Sequence, residues 1–272
     1  MTRYKTYFID LDGTIYQGKT KYPSGRRFIE RLRDAKIPYL FVTNNSTKNP
    51  IDVAKNLTIN HDIPTSPDQV YTSAMATADY LSLHMPLSTK IYVIGEIGLV
   101  EALTNAGFTI VTDASASAVV VGLDHHVTYQ KLAIATEAIQ SGAKFIATNV
   151  DTNLPTEHGL MPGAGAIIAA VQTATQTNPL VIAKPESPIM TGALQRMSVK
   201  KADVIMVGDN YNTDILAGIN NNIDTLLVYS GVSTPDQIKQ VQKNQHMKSC
   251  LSTIGQYKND LFHVKQVVFI LS

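Results

Sequence analysis

The stretch Phe8-Ile9-Asp10-Leu11-Asp12-Gly13-Thr14 decides the fold of this chain. Two carboxylates, two residues apart, follow an apolar strand and run into a Gly-Thr turn. Side chains alternate between the two faces of a strand, so breaking the strand at Gly13 frees both acids to converge at its carboxyl end. Open α/β sheets bind their ligands at that edge. The motif therefore predicts a functional site at Asp10 and Asp12. Taken alone, the motif is also compatible with two solvated acids in a turn at the end of a strand.

Strand-like and helix-like patterns alternate along the chain after this first strand. The predicted strands are 7–10, 39–43, 91–95, 108–111, 118–122, 145–148, 180–183, 204–207 and 225–229. The predicted helices are 24–35, 50–60, 74–84, 97–106, 129–141, 163–175, 188–197 and 213–220. This alternation is typical of parallel sheets with right-handed crossovers, and it predicts an α/β fold.

A second group of acids follows the apolar strand 204–207. Asp209 comes directly after Gly208 at the carboxyl end of this strand, and Asp214 lies five residues further on. Asp214 could also cap the next helix. If the two strands are neighbours, the carboxyls of Asp10, Asp12 and Asp209 meet in one crevice. Their mutual repulsion then needs compensation, and Mg²⁺ provides it with sites left for water and a substrate phosphate.

Two further stretches offer what a phosphate group needs. Thr43-Asn44-Asn45-Ser46 follows a strand and supplies a hydroxyl, amides and main-chain N–H groups. Lys184 follows the apolar run 180–183 and precedes a helix bounded by proline. Taken alone, the first stretch reads more often as a simple polar turn and the lysine as a solvated surface residue. Their position at strand ends, like that of Asp10, favours phosphate binding.

Composition excludes several other classes of protein. The 272 residues are 44% hydrophobic and 17% charged, with a formal net charge of +1. This composition is typical of a globular protein, and the net charge gives no sign of a surface that binds nucleic acid or an anionic membrane. Cys250 is the single cysteine, and no apolar run approaches the length of a membrane span. We therefore expect a cytoplasmic protein with neither nucleic acid nor membrane among its partners.

Four motifs, in this order, resemble those of the haloacid dehalogenase superfamily of phosphohydrolases. They are Asp10-Leu11-Asp12-Gly13-Thr14, Thr43-Asn44-Asn45, Lys184-Pro185, and Gly208-Asp209 with Asp214. The long insertion between the second and third motifs is similar to the C2-type cap of the NagD-like branch, which includes nitrophenylphosphatases and acid sugar phosphatases. The resemblance implies a Rossmann-like parallel-sheet core over 1–80 and 180–272, with an inserted α/β cap over 81–179.

The resemblance also implies a mechanism and a role for each site residue. Asp10 is the expected nucleophile that forms an aspartyl-phosphate, and Asp12 is the general acid and base. Mg²⁺ is expected on Asp10, the main-chain carbonyl of Asp12 and Asp209, with Asp214 in support. Thr43, Asn44 and Lys184 are the expected phosphoryl-binding residues.

Substrate choice is expected to lie in the cap, because the core handles only phosphate. Asn149 and Asp151 are the main specificity candidates, and Asp124, His125 and His126 are further residues that could face the crevice. The resemblance implies a small phosphomonoester substrate, namely a sugar or acid-sugar phosphate, and allows a homo-oligomer formed through the cap. The alternatives are a nucleoside monophosphatase or general aryl phosphatase, a phosphotransferase or mutase, and a non-catalytic phosphate-binding protein.

The tail 244–272 departs from the usual ending of the family. Relatives finish with a Pro-Thr-aromatic-Val-Val strand and a Ser-Leu-x-x-Trp helix start, whereas this chain has no tryptophan. A shifted reading of codons compatible with residues 244–257 spells Pro-Thr-Tyr-Glu-Val-Val-Ser-Leu-Asp-Asp-Trp. We therefore hypothesise a frameshifted tail, which predicts that the core lacks its terminal strand and helix and loses some stability.

Overall fold

The structure is a computed structural model that describes residues 4–156, 159–245 and 267–270. The chain forms two compact units. The first comprises Met1–Thr43, Ala54–Val70 and Ala193–Ser272, and the second comprises Asn44–Val53 and Tyr71–Gly192. The domain limits predicted from the sequence, at residues 80 and 180, stay a prediction.

Fifteen strands and nine helices lie in the described part of the chain. The strands are β1 (Thr6–Ile9), β2 (Tyr16–Gln17), β3 (Thr20–Lys21), β4 (Tyr39–Thr43), β5 (Val70–Thr72), β6 (Lys90–Ile94), β7 (Thr109–Val111), β8 (Ala118–Val121), β9 (Lys144–Ala147), β10 (Asn153–Thr156), β11 (Gly159–Pro162), β12 (Leu180–Val181), β13 (Val204–Gly208), β14 (Asp224–Val228) and β15 (Val267–Ile270). The helices are α1 (Pro23–Asp34), α2 (Pro50–Asn60), α3 (Ser73–His84), α4 (Ile97–Asn105), α5 (Tyr129–Gln140), α6 (Ala164–Thr175), α7 (Ser187–Met197), α8 (Leu216–Asn221) and α9 (Pro235–Gln245).

A six-stranded sheet with the order β15-β14-β13-β1-β4-β5 organises the first unit. Strand β1 lies between β13 and β4 and is parallel to both, with Ile9 opposite Val207 on one side and Phe41 on the other. Every residue of β1, β4 and β13 is buried, as expected for central parallel strands covered on both faces. This register aligns the carboxyl ends of β1, β4 and β13 at one edge of the sheet.

A five-stranded parallel sheet with the order β12-β9-β8-β6-β7 organises the second unit. Its core packs Val119 and Val121 of β8 with Ala135 of α5 and Ile168 of α6. Threonines cap the start of two of its helices: Thr72 accepts a hydrogen bond from the Met75 N–H at α3, and Thr128 accepts one from the Lys131 N–H at α5.

The predicted α/β class is confirmed, and so is the type of every element predicted from strand or helix spacing, with most boundaries within one residue. Two elements differ from the prediction in their length or in the form of their helical turns. The run 180–183 is a strand only over Leu180–Val181, and the helix predicted over 213–220 is a π-helical turn at Tyr211–Ile215 followed by α8.

All the strands predicted from the sequence pair with one another in parallel, as expected. Three antiparallel pairings each involve a strand that the sequence does not predict. Strands β2 and β3 form an antiparallel pair, as do β10 and β11, and β15 runs antiparallel to β14. The first pair has strands of two residues, which are too short to show a period. Strands β10 and β11 contain Pro155 and Pro162, which argue against a strand in sequence analysis. The sequence pattern also does not predict strand β5 or helix α9.

The backbone of the tail does supply an edge strand. Strand β15 pairs with β14, with Ile270 opposite Thr225 and Val267 opposite Val228. The expectation that the core has no terminal strand is therefore wrong for these four residues. The other tail residues, Cys250 and Leu271 among them, lie outside the described part, and the frameshift hypothesis stays a prediction. Among the described helices, none is long and apolar enough to cross a membrane.

Candidate active site

Asp10 lies at the carboxyl end of the central strand β1, where the chain turns sharply. The Asp10 N–H still donates to the Val207 carbonyl at 2.9 Å, so the residue continues the pairing with β13. The Leu11 carbonyl then accepts from the N–H groups of Thr14 and Ile15, which closes a tight turn. Gly13 occupies this turn with φ +88°, a backbone conformation that favours glycine.

Three carboxylates meet at this edge of the sheet. One oxygen each from Asp10, Asp209 and Asp214 lies within 4.8 Å of the other two. The Thr14 hydroxyl reaches two of them, lying 2.8 Å from Asp209 Oδ1 and 3.3 Å from Asp10 Oδ2. The predicted convergence of Asp10 and Asp209 thus appears in the described structure, but the third carboxylate of the cluster is Asp214 and not Asp12.

Burial makes this cluster costly without a positive partner. The Asp209 side chain is 1% exposed. Burial, and next the nearby Asp214 carboxylate, raise the pKa of Asp209 to about 6, against the opposing hydrogen bonds from the Val232 N–H and Thr14. A divalent cation favours the charged form of such carboxylates, and oxygen ligands suit Mg²⁺. The donor set therefore fits a bound divalent cation.

Two glycines allow the acids to approach the backbone this closely. A Cβ on Gly13 would lie 2.5 Å from Asp209 Oδ2, and a Cβ on Gly208 would overlap the Asp214 side chain. Asp214 is buried and accepts from the Asn210 N–H at 3.1 Å, which fixes its carboxylate behind Gly208. The glycines of the first and fourth motifs are thus both required by space, and Gly13 is also required by its positive φ.

Asp12 lies beside the hairpin formed by β2 and β3. The Gly18 N–H of this hairpin hydrogen-bonds the Asp12 carboxylate, and the Gly13 N–H donates to the Tyr16 carbonyl at 2.6 Å. Asp12 keeps an exposed surface, yet partial burial of its carboxyl outweighs the Gly18 bond and raises its pKa. A raised pKa suits a carboxyl that must carry a proton.

The hairpin is itself held by the turn that follows α2. The Tyr16 ring stacks on the His61 ring with centroids 4.1 Å apart, and Lys21 pairs with Asp62 at 2.5 Å. Burial, and next the Lys21 charge, lower the pKa of His61. Burial, Asp12 and Asp10 raise the pKa of Tyr16 well above its usual value, so the phenol stays neutral.

Thr43 ends β4 in the same unit as Asp10, and its side chain is buried. Because Phe41 lies opposite Ile9 in the sheet, Thr43 lies beyond β1 at the edge that carries Asp10. Of the predicted site residues, Asp10, Asp12, Thr43, Asp209 and Asp214 therefore belong to the first unit.

The other predicted site residues belong to the second unit, and the structure brings them together there. The Asn44 side-chain amide lies within hydrogen-bond distance of the Lys184 carbonyl and the Asp151 carboxylate. Asn149 Nδ2 donates to the Asn44 carbonyl. Lys184 is 2% exposed, which rules out the solvated surface lysine suggested as an alternative.

The remaining polar residues considered from the sequence make local contacts. Buried Asp124 pairs with Lys131 at 2.6 Å and accepts from the His126 N–H. His125 Nδ1 hydrogen-bonds Glu96. Within the described residues, neither histidine joins a cluster that could hold a metal ion.

Sequence reasoning misses three contributors to the site. Thr14 belongs to the first motif, and its place after Gly13 could have indicated a hydroxyl near the acids. Tyr16 and His61 carry no such indication, because their contact joins two segments that no shared pattern connects.

Comparisons with known proteins agree with this arrangement. Residues 7–109 match the family described as haloacid dehalogenase-like hydrolase. Residues 181–254 match a second family, which is described as HAD-hydrolase-like. An acid sugar phosphatase from Staphylococcus epidermidis is 49% identical over 239 residues, which cover 88% of this chain and 92% of the relative.

Two solved structures extend the comparison. A mutant of the thermostable p-nitrophenylphosphatase from Bacillus stearothermophilus is 46% identical, with a TM-score of 0.80, over 90% of this chain and 94% of the relative. A glycerol phosphate phosphatase from Mycobacterium tuberculosis, in complex with magnesium, is 32% identical with a TM-score of 0.80. The match covers 85% of this chain and 69% of that relative.

Proposed function

The chain belongs to the haloacid dehalogenase-like hydrolases and is a phosphomonoesterase, and we propose that its substrates are sugar or acid-sugar phosphates. The support for this substrate class is the acid sugar phosphatase that is 49% identical over nearly its whole length. An aryl phosphate is the second candidate, favoured by the p-nitrophenylphosphatase structure.

Asp10 is the proposed nucleophile and Asp12 the proposed general acid and base. An Asp10 oxygen attacks phosphorus, the ester P–O bond breaks, and Asp12 donates its proton to the leaving alkoxide. Asp12 then accepts a proton from water, which attacks the aspartyl-phosphate and releases inorganic phosphate from Asp10. The position of Asp10 beside Asp209 and the raised pKa of Asp12 support these roles.

Asp10, Asp209 and the Asp12 main-chain carbonyl would hold Mg²⁺, with Asp214 in support. When bound, Mg²⁺ supplies positive charge that offsets the carboxylates and the phosphoryl oxygens. The three acidic side chains within 4.8 Å support this assignment.

Thr43, Asn44 and Lys184 are the proposed ligands of the phosphoryl oxygens. A buried lysine ammonium and a threonine hydroxyl at a strand end are suitable donors for an anion. Their role is to position the phosphoryl group and to neutralise its charge, which is most of the catalytic work in phosphoryl transfer.

The convergence of Asp10, Asp209 and Asp214 carries the proposal, and Asp10→Asn tests it most simply. We expect this variant to keep its circular dichroism spectrum and lose at least about a thousandfold in kcat, because the amide is no nucleophile. A panel of sugar, acid-sugar, nucleoside and aryl phosphates, assayed with Mg²⁺ and with EDTA, identifies the substrate class. Turnover of the variant at the wild-type rate would contradict the covalent mechanism.

We also infer a cytoplasmic location and a homo-oligomer formed through the cap. The single cysteine supports the first, and the family resemblance supports the second. Light scattering on the purified chain tests the oligomer, and a monomer at all concentrations would contradict it.

A further inference from the structure

Asn44 is held by hydrogen bonds to both its main chain and its side chain. Its carbonyl accepts from Ser73 Oγ at 2.7 Å and from Asn149 Nδ2 at 2.9 Å. Its own Nδ2 lies 3.0 Å from the Lys184 carbonyl and 3.2 and 3.3 Å from the two Asp151 carboxylate oxygens. These contacts come from segments far apart in the sequence, and all of them lie within the second unit.

The contacts also fix which way the Asn44 amide points. A carbonyl and a carboxylate can only accept, so Nδ2 and not Oδ1 must face Lys184 and Asp151. An amide nitrogen has two hydrogens, and these two acceptors use both. The Asn44 Nδ2 hydrogens thus bind acceptors within the protein, and the proposed contact of Asn44 with phosphate is assigned to its main-chain N–H.

Asn149 and Asp151 act on Asn44 as one unit. The Asp151 N–H donates to Asn149 Oδ1 at 3.1 Å, so the pair is joined directly. Asn149 is 5% exposed and also donates to Thr148 Oγ1, which in turn lies 3.3 Å from Ser46 Oγ. The buried chain of contacts therefore extends from this pair to the residues that follow Asn44.

The segment that carries Asp151 is hydrogen-bonded through its main chain to the start of α6. The Gly165 N–H donates to the Asp151 carbonyl at 3.0 Å, and the Gly163 N–H donates to the Thr152 carbonyl at 2.9 Å. A Cβ on Gly163 would overlap the Asp151 carbonyl, and one on Gly165 would crowd the Val150 carbonyl. These glycines allow the close approach that sets the position of the Asp151 carboxylate.

We propose that Asn149 and Asp151 are positioning residues that orient Asn44 for phosphate binding, in place of the direct substrate contacts expected from the sequence. The proposal rests on the proposed role of Asn44 in the phosphate site. A residue that touches the leaving group discriminates among substrates. A residue that acts through Asn44 affects every phosphoryl ligand alike, including inorganic phosphate, which has no leaving group.

The test compares Asp151→Ala, which removes the acceptor, with Asp151→Asn, which keeps one acceptor oxygen. Asp113→Ala is the matched control, because this exposed acid of the second unit accepts a local bond from the Ser115 N–H within its own loop. Titration calorimetry in the presence of Mg²⁺ gives the Kd of inorganic phosphate without any need for turnover. The kcat/KM values of p-nitrophenyl phosphate and glucose 6-phosphate are measured beside it.

For Asp151→Ala we expect phosphate affinity and both kcat/KM values to fall together by about tenfold, the effect of losing one hydrogen bond to a charged group. Asp151→Asn should recover most of the loss, and Asp113→Ala should match the wild type. If Asp151→Ala does not fold, Asn149→Ala carries the same test, since it removes the bond to the Asn44 carbonyl.

Two results would overturn the inference. An unchanged phosphate Kd with an altered ratio between the substrates would assign Asp151 to the leaving group. Wild-type behaviour of the variants would leave the pair with no role in the site. Failure of the proposed function looks different, because the wild-type enzyme itself would then release no phosphate from any ester.

Discussion

Gly13 shows how a single glycine can determine the geometry of the proposed metal site. Its φ of +88° costs a residue with a Cβ about 1 to 3 kcal/mol, and the added atom would also meet the Asp209 carboxylate. The strain alone lowers stability. The collision displaces a ligand of the proposed cation.

We therefore expect Gly13→Ala to lose both stability and Mg²⁺ affinity. Gly142→Ala is the matched control, because Gly142 has φ +101° and open space, with no atom within 4 Å of where a Cβ would lie. Both variants should unfold at lower urea concentration than the wild type. Only Gly13→Ala should need more Mg²⁺ for half-maximal activity, and an equal Mg²⁺ requirement in the two variants would contradict the steric account.

Residues that follow strands could be predicted to meet, and residues joined by tertiary packing could not. Asp10 and Asp209 each follow an apolar strand, and parallel strands bring their carboxyl ends to one edge. Asn44 and Asp151 are 107 residues apart, and the segment that carries Asp151 is positioned by main-chain hydrogen bonds to the start of α6. No periodicity in the sequence encodes such a contact.

The β2–β3 hairpin is the element that places the Gly18 N–H on Asp12. Its strands have two residues each, too few to hold their own position, and the stack of Tyr16 on His61 supplies the missing support. The sequence does not predict this hairpin for the same reason, since two-residue strands have no period to detect. A buried neutral histidine therefore supports an element that contacts the proposed acid.

Protonation of His61 should weaken this support. Burial and the Lys21 charge lower the folded-state pKa of His61, with Asp62 acting in the opposite direction. Between the lowered pKa and the ordinary value of about 6.5, the unfolded chain binds more protons, so stability falls as the pH falls through that window.

His61→Phe keeps a ring for the stack and removes the titration. Urea unfolding at pH 7.5 and pH 5.5 should show that this variant loses less stability on acidification than the wild type. In the wild type the loss should begin near pH 6.5, because about 6.5 is the ordinary pKa of histidine in the unfolded chain. Equal losses would show that His61 carries no proton-linked stability.

At the scale of the whole molecule, a cation that binds the folded chain and not the unfolded chain must raise the free energy of unfolding. A ligand at a hundred times its Kd contributes about 2.7 kcal/mol, which corresponds to a rise in Tm of about 5 °C for a chain of this size.

The α/β architecture that collects the acids was predictable from the alternation of strands and helices. The edge strand β15 was not, because it pairs antiparallel with β14 across a long stretch of sequence.

Differential scanning calorimetry with and without Mg²⁺ measures this stabilisation. We expect the rise in Tm in the wild type and its loss in Asp209→Asn, which removes the charge while keeping the size of the side chain. Asp203→Asn is the control, because its carboxylate lies at the other end of β13 and pairs with Lys5. A Mg²⁺-dependent rise of equal size in Asp209→Asn would place the cation elsewhere.

The central claim is that Asp10 attacks phosphorus while Asp12 moves the protons. An Asp12→Asn variant mixed with p-nitrophenyl phosphate tests it directly, because this good leaving group needs no acid whereas hydrolysis of the intermediate still needs a base. The mixture is quenched in acid, and the chain is analysed by peptide mass spectrometry. We expect phosphate on the peptide that contains Asp10 and on that residue. The absence of a phosphoenzyme, or phosphate on another residue, would contradict the account.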